Sequence, residues 1–73
     1  MNLNRAALTV IRERSGLSVS ALAEKAGVDR TLIHRFENGE RNASPAIIKK
    51  LAEALQCPLI ALIGKGETEP GVA

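Results

Sequence analysis

In the stretch "GVDRTLIHRFENGER", Gly27 to Arg41, four side chains share one chemistry: Arg30, Thr31, His34 and Arg35. A guanidinium carries five N–H donors in a rigid fork, and a hydroxyl and an imidazole each add a donor. None of the four is an acid, so together they suit an anionic, acceptor-rich ligand. On a helical wheel with Arg30 at zero, Leu32, Phe36 and Ile33 fall at roughly 200°, 240° and 300°. Arg30, His34, Thr31 and Arg35 fall at roughly 0°, 40°, 100° and 140°, on the opposite arc. Glu37, at about 340°, sits on the boundary beside the apolar side. A helix here packs on one face and presents donors on the other. A merely solvated face is the plain alternative, and the preceding segment bears on it.

The sequence predicts five short helices and a tail, without an internal repeat. The first runs from Asn4 to Arg14, with Leu8 and Ile11 on one face, Ala7 and Val10 beside it, and Ser15-Gly16 as its stop. Ser18 is a good N-cap for a second helix over Val19 to Ala26, with Leu22, Ala23 and Ala26 inward. Gly27 breaks it, and Asp29 caps a third, Arg30 to Glu37. Asn38-Gly39 is a turn signal. Ser44-Pro45 opens a fourth helix, reaching Leu55, with a stripe of Ile47, Ile48, Leu51, Ala52 and Leu55. Pro58 starts a fifth, Leu59 to Ile63. The tail "GKGETEPGVA", residues 64–73, has no periodicity and is expected to be disordered. The small Ala23 and the glycine break let the second and third helices approach closely at a steep angle. That is the geometry of a helix-turn-helix, whose second helix enters the DNA major groove.

At 73 residues, with one cysteine and one histidine, the chain has material for one small domain, without an internal disulfide or a zinc site. The expected domain is 1–63. The apolar residues are almost all aliphatic, with one Phe and neither Trp nor Tyr, which favours an all-α fold. A net charge of +2 leans weakly towards an anionic partner. Neither a membrane span nor a secretion signal is visible, and the expected compartment is a reducing cytoplasm. There is no nucleophile–base constellation and no glycine-rich phosphate loop. The reading is therefore not an enzyme, with no cofactor and no metal. Cys57 reads as a small apolar filler beside Pro58, and Lys25, Lys49, Lys50 and Glu53 as solvated charges.

"GLSVSALAEKAGVDRTLIHRFENGER" followed by "SPAIIKKLAEAL" resembles the phage-repressor or XRE family of helix-turn-helix proteins, the lambda-repressor-like fold. The resemblance covers Leu8 to Ile63. It includes the Leu22-Ala23 pair, the turn glycine Gly27, the buried positions Ile33 and Phe36, and the closing Glu37-Asn38-Gly39. It implies a compact five-helix bundle that binds double-stranded DNA as a transcriptional regulator, repressor ahead of activator. It implies that Arg30, Thr31 and Arg35 contact bases, and that Asn38, Arg41 and Asn42 contact phosphates. His34 is either a phosphate contact at the groove edge or a solvated side chain. The family often has Gln where this chain has Val19; Ser18, Ser20 and the free amides at that helix start can take over its phosphate contact. The family also often pairs the positions of Arg12 and Glu37, which implies an ion pair holding the third helix.

A helix as short as "PLIALIG" cannot turn Leu59, Ile60, Leu62 and Ile63 all inward. Homodimerisation through Leu59, Ile60 and Ile63 is expected, with Ile60, often acidic in the family, outermost. The competing reading is an antitoxin-type module that binds a protein partner, such as a toxin or the transcription machinery, as well as its own operator. In either reading the expected location is the cytoplasm, associated with the nucleoid of a prokaryote or phage-infected cell.

Overall fold

The computed structural model describes residues 2–63. It contains four α-helices and one short 3-10 helix among those residues. The first, α1 (Arg5–Arg14), begins one residue later than predicted because Asn4 is its N-cap, accepting from the Ala7 backbone N–H at 3.1 Å. Val10 is 46% exposed rather than packed beside the inner face. Ser18 caps α2 (Val19–Ala26) by accepting from the Ala21 N–H at 3.0 Å. Gly27, in the left-handed region at φ 72°, ends it, and the Val28 N–H closes the turn on the Ala23 carbonyl. Asp29 then caps α3 (Arg30–Asn38), which runs one residue past the predicted end. Ser44 and Pro45 start α4 (Pro45–Leu55).

The fifth predicted helix is corrected by the structure: Leu59–Leu62 is a single 3-10 turn. Its N-cap, Pro58, has no side chain that can cap, and four residues close too few bonds to propagate an α-helix. Its far end is drawn into extended geometry. Ile63 forms an antiparallel bridge with Leu3, and the Asn4 N–H donates to the Leu62 carbonyl at 2.8 Å.

α2 packs on α3 and α4, while α1 packs on α3 and the 3-10 turn. Leu8, Leu22, Ile33, Phe36, Ile48, Leu51 and Leu62 meet in the interior, each essentially without exposed surface. Burying one such side chain contributes about 1.5–3 kcal/mol. Cys57 is half-buried, and burial pushes its thiol pKa up, which suits packing rather than reactivity. No described helix is long and apolar enough to cross a membrane. The expectation of disorder over 64–73 lies outside the described residues.

α4 ends on Gln56 at φ 56°, the one described non-glycine residue in the left-handed region. That conformation strains a residue with a Cβ. Gln56→Gly should raise the stability to denaturant unfolding by up to about 1 kcal/mol, the relief of strain outweighing the extra freedom of the unfolded chain. An unchanged or lower midpoint would show that Gln56 bears no such strain.

Candidate nucleic-acid interface

A helix of nine residues is too short to persist alone, so its orientation comes from what it packs against. Ile33 and Phe36 are buried and Leu32 is half-buried, which rolls the other arc outward. Arg30, Thr31, His34 and Arg35 are all exposed. The nearest acid on that side, Asp29, turns its carboxylate to the Thr31 backbone N–H at 3.4 Å. Among the described residues, salt bridges involve Arg12 alone, so Arg30, Arg35 and Arg41 have no carboxylate within 4.0 Å. Among the described residues, the outward face therefore keeps its cationic charge free of direct ion pairs.

A cleft lined by Asp29, Thr31, Leu32, Arg35 and Arg41 brings the loop arginine next to three side chains of α3. Ser18, Ser20, Asn38 and Asn42 are exposed around the helix ends and in the loop. The Ser18 oxygen accepts the α2 capping bond, leaving its O–H as a donor. Val19, where the family often has Gln, packs its side chain partly against the core. On the opposite end of the chain, Ile60 is 68% exposed, while Leu59 and Ile63 are half-buried.

Two arginines tie α1 to the C-terminal end of α3. Arg12 Nε donates to Glu37 Oε2 at 2.7 Å and Nη2 to Oε1 at 3.2 Å, a two-pronged pair. Its Nη1 donates to the Leu17 carbonyl at 2.9 Å, which links the same guanidinium to the α1–α2 connection. Both side chains are only 12% exposed. The hydrogen bond with Glu37 raises the Arg12 pKa above its ordinary value; burial opposes this, and the charges of Glu37 and Glu13 reinforce it. The second tie, Arg5 Nη1 to the Asn38 carbonyl at 3.0 Å, is absent from the sequence reading. An arginine at the start of a helix looks like any solvated charge until the fold brings a carbonyl to it.

Residues 10–62 match the helix-turn-helix family, and the chain belongs to that XRE-type family of DNA-binding domains of transcription regulators. The HTH-type transcriptional repressor RghR of Bacillus subtilis is 48% identical over 59 residues, which cover 80% of this chain and 44% of that protein. This chain spans less than half the length of the curated relatives it matches. The restriction-modification controller protein C.AhdI from Aeromonas hydrophila superposes with a TM-score of 0.79 at 37% identity, over 81% of this chain and 89% of that one. A chain of the SinR protein/SinI protein complex gives a TM-score of 0.75 at 28% identity, over 89% of this chain and 70% of that one.

The geometry of the Arg12–Glu37 pair predicts its energetics. Arg12→Ala or Glu37→Ala alone should cost about 2–4 kcal/mol, because each leaves a largely buried charge without its partner. In a double-mutant cycle read by urea unfolding, the two losses should fall short of additive by at least about 1 kcal/mol. Strict additivity would mean that the pair does not hold α3.

Proposed function

We propose that this chain binds double-stranded DNA sequence-specifically, with α3 in the major groove, and acts as a transcriptional repressor at a palindromic operator. The observation that carries the reading is the outward face of α3, where Arg30, Thr31, His34 and Arg35 all donate and, among the described residues, no carboxylate lies within 4.0 Å of the arginines. Arg30 and Arg35 are the base readers, since a guanidinium matches guanine O6 and N7 together. Thr31 meets a thymine methyl or a phosphate. Ser18, Ser20, His34, Asn38, Arg41 and Asn42 hold the phosphates and set the register. Repression, for which the name of RghR is the support, follows from occupying a site that overlaps a promoter.

One recognition helix spans few base pairs, so specific affinity calls for two copies. The exposed Ile60 supports a homodimer through Leu59, Ile60 and Ile63, which would place two copies of α3 about 34 Å apart. Likeness to a chain of the SinR protein/SinI protein complex favours a second reading, in which this chain is an antitoxin-type module that binds its own operator and a protein partner covers that surface.

Selection of bound duplexes from random oligonucleotides should enrich a palindrome with half-sites about 10–10.5 base pairs apart. Recovery without enrichment would refute sequence-specific binding. On the enriched duplex, Arg30→Ala should cost about 1–3 kcal/mol and relax one base position, whereas Arg41→Ala should weaken all duplexes alike. Equal loss on specific and random DNA for Arg30→Ala would remove it from the base readers. Sedimentation equilibrium should show a dimer for the native chain and a folded monomer for Ile60→Glu. A native chain that stays monomeric, free and on DNA, would refute the dimer.

A further inference from the structure

Arg5 occupies the first position of α1 and is exposed. Its Nη1 reaches the carbonyl of Asn38, 33 positions away, in the last residue of α3. The guanidinium lies over Gly39, where an added Cβ would collide with it. Of the five N–H donors, this contact uses one. Among the described residues the Arg5 side chain makes no other hydrogen bond and has no carboxylate within 4.0 Å.

The end of α3 poses an electrostatic problem for the function proposed above. In a docked recognition helix the N-terminal residues meet base edges. The C-terminal end then lies towards the sugar-phosphate backbone. That end is the negative pole of the helix dipole, and its last carbonyl, of Asn38, is the one that Arg5 meets. Negative helix end and phosphate repel each other unless a cation lies between them. Arg5 is in that position: one N–H of its fork is held by the Asn38 carbonyl, the guanidinium lies over Gly39, and the side chains of Arg5 and Asn38 are both exposed.

We propose that Arg5 is a DNA-phosphate contact. It bridges the carbonyl end of α3 to the backbone phosphate that the Asn38 side chain also meets. The inference rests on the DNA-binding reading above. It makes α1 part of the interface, and it makes the Asn38 bond an aiming device for a charged fork rather than only a helix cap. A phosphate contact is blind to base sequence and sensitive to salt, because it releases a condensed counterion.

The test uses the full chain with two duplexes, one recovered by selection and one of random sequence, in anisotropy titrations across a salt series. Arg5→Ala should weaken both duplexes by the same factor and lower the slope of log affinity against log salt by about 0.9. Equivalently, the ratio of native to variant affinity should shrink about threefold for each fourfold rise in salt. Arg5→Lys, which keeps the charge, should retain most of the slope. Arg5→Gln keeps an N–H for the Asn38 carbonyl and loses the charge, so it should lose the slope as Arg5→Ala does. If Arg5→Gln matched the native chain, or if Arg5→Ala weakened binding with an unchanged slope, Arg5 would be a cap only and the proposal would be overturned. A native chain with no salt-dependent binding to either duplex would overturn the DNA-binding reading itself.

Discussion

The bidentate pair between Arg12 and Glu37 braces the rotation that burial of Ile33 and Phe36 gives α3, and the character of the whole exposed face depends on that rotation. Glu37 lies between the buried side of the helix, with Ile33 and Phe36, and the donor side, with Arg30 and His34. Pinning it to a guanidinium on α1 fixes which arc meets solvent. A salt bridge this sheltered carries a large desolvation cost, and it is tolerable only when the remaining donors are also satisfied. Here a third bond, to the Leu17 carbonyl, brings three of the five donors into hydrogen bonds and adds the α1–α2 connection to the same node.

Steric and electrostatic constraints then act in the same direction. The small, buried Ala23 and the left-handed Gly27 let α2 and α3 meet within a very short connection. Asp29 stands at the positive end of α3, where its carboxylate serves the helix instead of the outward face. Arg41 comes up from the loop to share a cleft with Thr31 and Arg35. A cationic surface with little internal compensation gives up little when it meets an anion, and its affinity follows salt concentration closely.

The other end of the molecule closes differently. Leu62 is buried, Ile63 bridges to Leu3, and the Asn4 amide bonds the Leu62 carbonyl, so the two ends of the described segment brace each other. That closure uses up the chain that would otherwise continue a helix, and it leaves Ile60 facing water. An exposed isoleucine on a domain with so small a core is the natural place for a second surface to gain by burial.

Short-range physics made much of this legible beforehand. Ser18, Asp29, Ser44, Gly27 and Gly39 act on their immediate neighbours, so the starts of α2, α3 and α4 and the stops of α2 and α3 follow from residue type, with α3 running one residue further. The wheel separated Ile33 and Phe36 from the donors because side-chain direction on a helix is a local property. The last element departs from the expected α-helix because Pro58 cannot cap it and because its far end is held extended by a bridge to Leu3, a partner from the other end of the described segment. Val10 was placed too far inward for a related reason: the neighbour that would cover it is supplied by the fold or by no one. By itself the sequence determined the caps, the turn and the division of α3 into two faces, all of which depend on residues a few positions apart. Only the tertiary structure decided that Arg5 meets the end of α3, because a long flexible side chain has no preferred partner until packing carries one within reach.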